Sequence, residues 1–297
     1  GVRWESDGSG EYSVETIERK PRGTRVTLHL KDDAAEYAQP DRIAQILQHY
    51  SAHLSFPVQV PAGEEEEEEW RTVNDTRALW TLPKSEISDQ DYNEFYQSLT
   101  QDFEPPLTWS HNKVEGAQSY TSLLYVPSRA PFDLILNRDE RTGLRLYVRR
   151  VFIMDAAEEL VPHYLRFVRG VIDAEDLPLN ISREMLQENE LMPKVRSAVV
   201  KRTMDILSKL AEDEERYQQF WRQFGAVLKE GVIEDPDRRE QLLPLLRFES
   251  TSTDSDKPLI SLDEYLERAG GEQDTIWYLT ADSPEAARGN PHLEAFR

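Results

Sequence analysis

LRLYVRRVFIMDAAEELVPHYLRFVRGVI, residues 144–172, decides the fold class of this chain. Its first ten residues are rich in β-branched and apolar side chains and end fully apolar, which predicts a strand covered on both faces. From residue 156 onward, AAEELVPHYLRFVRGVI predicts a helix with an early proline, Pro162. A covered strand followed by a helix points to a mixed α/β layer.

The flanks extend that layer. On the N-terminal side, TSLLYV (121–126) predicts a strand, and SDQDYNEFYQSLT (88–100) a capped helix with Tyr92, Phe95 and Tyr96 on one side. On the C-terminal side helices dominate. In PKVRSAVVKRTMDILSKL (193–210), Val195, Val199, Ile206 and Leu210 share one face, and Val200, Met204 and Leu207 form another, so this helix is expected to be buried on two sides. EERYQQFWRQFGAVLKEG (214–231) predicts a helix closed by Gly231. From Leu242 the tail predicts helix, strand, helix, in SLDEYLERAGG, TIWYLTAD and SPEAARGNPHLEAFR.

Residues 1–60 predict strand, strand, helix, strand. GEYSVETIER and GTRVTLHL alternate around the turn signal KPRG, QPDRIAQILQHYSAHL carries Ile43, Ile46, Leu47, Tyr50 and Leu54 on one face, and PVQV returns as strand. PAGEEEEEEW (61–70) follows; six adjacent glutamates repel one another and predict a solvated linker or exposed turn, with a domain boundary near residue 65.

Bulk properties exclude several functions. The 297 residues carry a formal net charge of −21, against the basic footprint that nucleic acid requires. No apolar run approaches the length of a bilayer span, and the absence of cysteine removes disulfides and thiolate metal sites and suits a reducing cytoplasm. Neither G-x-x-x-x-G-K-[ST] nor G-x-G-x-x-G occurs, and DGSG (7–10) is read as a turn between strands. His49 and His53, one helical turn apart in HYSAH, lack the glutamate and third ligand of a zinc site, so no metal site is assigned. No G-x-S-x-G elbow is present, and carboxylate pairs such as Asp173 and Asp176 are too common in so acidic a chain to indicate acid–base catalysis.

LPLNISREMLQ (177–187) poses a sharper question. Asn180 and Ser182 are good caps, yet Arg183 then falls in the first helical turn, where the macrodipole disfavours a cation by about 0.3–1 kcal/mol. A salt bridge to Asp176 or Glu188 is the ordinary explanation. The other is an anion site, in which free amides at a helix start and a guanidinium meet a phosphate, oriented by Asn180 and Gln187. Trp80 in LWTLPKS, and Phe132, Leu134 and Ile135 in SRAPFDLIL, are read singly as core and together as a candidate protein-binding patch.

The stretch from Leu144 to Gln187 resembles the middle-domain signature of the heat-shock protein 90 chaperones, and WYLTADS and NPHLE near the end are most similar to the bacterial type. ALWTLPKSEISDQDYNEFY, EPPLTWSHNKVEG, SRAPFDL and the terminal WYLTADS and NPHLE are similar to the family in the same order. The resemblance implies three parts: residues 1–60 as the closing part of an N-terminal ATP-binding domain, a partial α/β sandwich; 61–70 as an acidic linker; and 71–297 as the middle domain. Within the last it implies a large α/β/α layer (71–190), a helical connector (191–240) and a smaller α/β/α unit (241–297). It implies that Arg183, with Asn180 and Gln187 in the same catalytic loop, reaches the γ-phosphate of ATP held by the N-terminal domain. Trp80, Phe132, Leu134 and Ile135 would contact unfolded or partly folded client proteins, and Phe152 would help to dock the surroundings of the loop.

The family's nucleotide pocket and C-terminal dimerisation helices have no counterpart in the sequence. ATP and Mg are therefore expected in a full-length protein and not on this fragment, which is expected neither to hydrolyse ATP alone nor to dimerise. A 70-kDa heat-shock chaperone of the DnaK type is an expected partner, nucleic acid and membrane are not, and the expected location is cytoplasmic. The alternative is an acidic, non-catalytic adaptor with a structural Arg183. A transducer domain of a DNA-acting relative is a third reading, which the net charge opposes.

Overall fold

The computed structural model describes residues 1–18, 22–62, 69–116, 119–131, 134, 143–155, 160–177, 191–251, 259–271, 273, 275–281 and 283–296. They divide into two units, Gly1–Ile43 and Ala44–Arg297.

In the first unit, strands β1 (Val2–Glu5) and β2 (Ser13–Thr16) pair antiparallel, Val2 opposite Thr16 and Glu5 opposite Ser13. The turn between them contains DGSG: Gly8 and Gly10 have φ of 83° and 98°, and the Ser9 amide donates to Asp7 Oδ1. The expected pairing around KPRG is not formed. GTRVTLHL is not a strand, and Val26 and Leu28 are exposed. A strand without a ladder partner has nothing to hold it extended, and β2 takes its partner across the glycine turn instead. Helix α1 (Pro40–Tyr50) starts at a proline and crosses the division between the units.

The second unit is built on a five-stranded sheet of order β5-β6-β9-β7-β8. Its strands are β5 (Thr108–Val114), β6 (Tyr120–Val126), β7 (Leu144–Val148), β8 (Val151–Met154) and β9 (Arg169–Ala174). β7 and β9 run parallel, and the other neighbours are antiparallel. Both faces are covered. Leu124, Val126, Leu146, Ile172 and Ala174 join a core with the helices α3 (Leu191–Ala211) and α4 (Glu214–Glu234). Leu123, Tyr125, Tyr147 and Val171 point the other way, into an aromatic core with Trp80 and helix α2 (Asp89–Thr100). Strict alternation along each central strand produces this partition.

α2 starts at a capping box, in which Ser88 Oγ accepts from the Asp91 amide while Asp91 Oδ2 accepts from the Ser88 amide. On α3, Val195, Val199, Ile206 and Leu210 are buried, and so are Val200, Met204 and Leu207. α4 presents Tyr217, Phe220, Trp221 and Phe224, all buried, and Phe167 lies 5.4 and 4.9 Å from the Phe220 and Phe224 rings. Beyond them, β10 (Phe248–Glu249) pairs with β11 (Leu259–Ile260), and helices α5 (Leu262–Ala269) and α6 (Pro284–Arg288) follow.

Four further expectations change. The predicted single strand 144–153 is a hairpin, β7–β8, closed by Arg149 and Arg150 with φ of 50° and 68°. The predicted helix after residue 156 is, in its described part, a 3₁₀ turn (His163–Leu165) followed by β9. Pro162 excludes a continuous helix, and the sheet centre takes the β-branched residues that follow. Gly231 does not close α4 but lies inside it: a Cβ there would sit 2.6 Å from the Tyr164 ring, so the glycine serves close packing. The described residues of TIWYLTAD contain no strand, and Trp277 and Tyr278 are exposed.

The acidic segment has its ends tied together. β3 (Gln59–Pro61) pairs antiparallel with β4 (Trp70–Thr72), and the Ala62 amide donates to the Glu69 carbonyl at 2.6 Å. On the opposite side of the sheet from α2, the buried Arg166 guanidinium makes two bonds to Glu230 of α4, at 2.6 and 3.1 Å, and so fastens the 3₁₀ turn to the helices.

Gly170 is the tightest point in the sheet. Its φ is +142°, and a Cβ would lie 2.0 Å from the Leu123 carbonyl oxygen. Gly170→Ala is expected to cost at least about 3 kcal/mol, because neither backbone can yield within a strand buried on both faces. Urea unfolding of the variant measures this, and a loss below about 1 kcal/mol would show that the strand pair has slack there.

Candidate functional site

The candidate site lies at the end of β9, where the aromatic core meets the chain leading to residues 178–190. Asn180, Arg183 and Gln187 fall in that segment and lie outside the described residues, as do Phe132 and Ile135. Both flanks of the segment are anchored: Leu177 and Met192 are buried in the helical core.

Asp173 stands at the centre of what precedes it. Its place in the alternation puts it on the aromatic side, opposite Thr121 of β6 and Tyr147 of β7, and it is 5% exposed. Oδ2 accepts from Trp80 Nε1 at 2.8 Å, and Oδ1 accepts from the Arg150 amide at 3.1 Å. Arg149 Nε donates to the Glu175 carbonyl at 3.0 Å, and the Ser119 amide donates to Asp176 Oδ2 at 2.6 Å. Each left-handed residue in the Arg149–Arg150 turn costs about 1–2 kcal/mol. A bond to a charged group contributes about 1.5–3 kcal/mol, so the contacts to Asp173 and Glu175 are of the size that holds the turn.

Trp80 sits in a 3₁₀ turn (Leu79–Thr81) and is 1% exposed. The Tyr147 and His53 rings lie 4.8 and 4.6 Å from it. Its carbonyl accepts from His111 Nε2 at 2.9 Å, which fixes the neutral His111 tautomer with Nδ1 accepting from the Tyr92 hydroxyl at 2.9 Å. Leu134 is likewise buried, and its carbonyl accepts from Arg166 Nε at 3.2 Å. Neither side chain forms part of an exposed apolar patch here; both are core residues, and Trp80 keeps its one polar side-chain atom bonded to Asp173. Phe152, on β8, is also in the aromatic core and receives the His49 and Tyr50 rings at 5.0 and 5.8 Å.

His49 and His53 therefore separate onto different rings rather than converging on an ion. Among the described residues no group of His, Cys, Asp and Glu is arranged to hold a metal, and no helix is long and apolar enough to cross a membrane. The described part of the site thus holds a positioned carboxylate and a wall of rings, with no nucleophile and base in register. Sequence reasoning missed Asp173 and the Arg149–Arg150 turn. The signal was a charged pair interrupting an apolar run, but Arg-Arg is not a turn dipeptide and the carboxylate looked ordinary.

Burial lowers the His53 pKa below its usual 6.5, against the opposing pull of Asp75 and Asp173, and Nδ1 makes no hydrogen bond. Burial lowers that of His111 as well. As pH falls through about 6.5, the unfolded chain takes up these protons before the folded chain does, so stability declines and levels off only below the folded pKa values. The urea midpoint is expected to drop between about pH 7.5 and 5.5, and His53→Phe to shrink that drop. Equal drops in the two proteins would show that His53 enters the fold without a protonation penalty.

Comparison with known proteins places these residues in context. The family described as Hsp90 protein matches residues 62–297. The chaperone protein HtpG of Alcanivorax borkumensis is 52% identical over 299 residues, covering 100% of this chain and 48% of the relative. That of Hydrogenovibrio crunogenus is 54% identical over 307 residues, with 100% and 49% covered. That of Photorhabdus laumondii is 50% identical over 305 residues, with 100% and 48% covered. The chain spans about half the length of the curated relatives it matches.

Proposed function

We propose a function on the premise that this chain belongs to the Hsp90 protein family, in its bacterial HtpG type. It acts as the middle segment of an ATP-dependent molecular chaperone, binding unfolded or partly folded clients and supplying Arg183 to ATP held by an N-terminal domain. Residues 1–60 close that N-terminal domain, 61–70 are an acidic linker, and 71–297 are the middle domain. What supports the reading is that Leu177 and Met192, the described residues on either side of the stretch that carries Arg183 in the sequence, are buried in one core.

The chemistry this asks of the chain is limited. ATP and Mg belong to the N-terminal domain; when bound there, they supply the transferable phosphoryl group and neutralise part of its charge. Arg183 adds a fixed positive charge where negative charge develops, and Asn180 and Gln187 orient it. Trp80, Phe132, Leu134 and Ile135 are the proposed client positions. A client that engages Trp80 has to draw the ring out of its packing against His53 and Tyr147. Further partners in this reading are the chain's own N-terminal domain, a DnaK-type chaperone and, in a longer chain, a second copy.

The test is steady-state ATP turnover by this chain alone, and then by this chain joined to or mixed with the ATP-binding domain of a bacterial relative. Turnover is expected only in the combination, and Arg183→Ala is expected to reduce it by at least about a hundredfold. Undiminished turnover with Arg183→Ala would remove the catalytic role. A joined protein with no stimulation would leave the acidic adaptor as the function of this chain.

A further inference from the structure

The amine of Lys229 on α4 lies between two aromatic rings, with Nζ 5.3 Å from the centre of the Trp221 ring and 4.8 Å from that of Phe248 on β10. The helix builds half of this arrangement from its own spacing. Trp221, Gly225 and Lys229 follow at intervals of one turn and share a face. A Cβ at Gly225 would lie 2.6 Å from the indole, so the missing side chain lets that ring lie along the helix toward Lys229. Phe248 closes the other side from the β10–β11 hairpin.

The chain holds 56 Asp and Glu residues against 35 Lys and Arg, yet this amine meets rings instead of an acid. Among the described residues Lys229 makes no ion pair, and no neighbouring charge offsets the burial that lowers its pKa. Glu230, next in sequence, is paired with Arg166. Glu249 follows Phe248 on β10, so alternation turns it to the other face of the hairpin. Ring faces return part of the hydration that the ammonium loses, but they hold its proton less firmly than a carboxylate does. Lys113 shows the contrast: it reaches Glu115 at 2.6 Å, and that bond raises its pKa. Lys229 still keeps a flank open to solvent.

We propose that Lys229 is an acyl-acceptor site, which takes a small acyl group from an acyl phosphate or an acyl thioester, and that its acylation loosens the β10–β11 hairpin from α4. The neutral amine attacks the acyl carbonyl carbon and a C–N bond forms. The C–O or C–S bond to the donor breaks, and phosphate or thiolate leaves with the bonding electrons. The surplus proton on nitrogen passes to the leaving group or to water. The amide product carries no charge, so the attraction between the amine and the two ring faces ends. The site is separate from Arg183 and Trp80, and the roles proposed for them neither require it nor follow from it.

The test treats this chain with acetyl phosphate and, in parallel, with acetyl-coenzyme A at about pH 8, and follows acetylation peptide by peptide by mass spectrometry. Lys229 is expected to react at least about tenfold faster than Lys113, Lys201 and Lys209. Phe248 is 36% exposed, so it can be changed without disturbing the core. Phe248→Glu, which sets a carboxylate beside the amine, is expected to remove the advantage, and Phe248→Leu to keep most of it. An advantage with either donor supports the site and identifies the donor class. An advantage with neither donor, or one that survives Phe248→Glu, overturns it.

Hydrogen exchange reads the consequence. Lys229→Gln, which removes the charge as acylation does, is expected to raise exchange about threefold or more at β10 and β11 while α3 and α4 keep their protection. Lys229→Arg is expected to leave it unchanged. Unchanged exchange in Lys229→Gln, or an equal rise in Lys229→Arg, would overturn the loosening of the hairpin.

Discussion

Burial of β9 on both faces is the constraint on which the rest depends. The strand runs between β6 and β7, and every second side chain enters a different core. Val171 and Asp173 face the rings, while Ile172 and Ala174 face α3 and α4. A slip of one residue would exchange those sets and put a carboxylate among the helices. Gly170, pressed against the Leu123 carbonyl, fixes where the strand begins its close approach. The place at which the chain leaves the sheet toward residues 178–190 follows from that register.

The two cores differ in kind. The helical side is a broad aliphatic and aromatic surface with few polar groups, among them the buried Arg166 guanidinium paired with Glu230 and the Tyr164 hydroxyl, which donates to Asp235 at 2.9 Å. The side with α2 is smaller and mostly rings, and it carries His111, Asp173 and several tyrosine hydroxyls. Burial raises the pKa of Tyr92, Tyr96 and Tyr125, so these hydroxyls stay neutral donors even beyond the pH at which an exposed tyrosine ionises. A core of this type obtains geometric specificity from satisfied polar atoms rather than from volume alone. Each such atom is also a point at which the structure responds if its partner is taken away.

Local chemistry explains what the sequence made legible. α2 could be read because Ser88 and Asp91 write a capping box, and α3 because two apolar stripes share one helix. Where the reading failed, a tertiary demand had overridden a local pattern. Arg149 and Arg150 carry no turn signature, and their bend is held by groups on β9 and just beyond it. Phe167, Val168 and Val171 keep helical spacing in the sequence, but the sheet needed a central strand. Gly231 looks like a helix stop and serves instead as clearance for Tyr164. Arg183, Asn180 and Gln187 are proposed from a motif, whereas Asp173, close to them in the chain, offers none: a carboxylate's importance depends on its donors, and those lie 93 and 23 residues away.

The pairing of β3 with β4 has a consequence for how this chain tolerates change. Because the Ala62 amide meets the Glu69 carbonyl, the two described ends of the acidic segment lie side by side. Closing a loop costs an entropy that grows only with the logarithm of its length, about 0.6 kcal/mol per doubling. Residues inserted between Ala62 and Glu69 therefore need not separate β3 from β4. The length of the glutamate tract is therefore nearly free to drift, while the residues at its two ends are not.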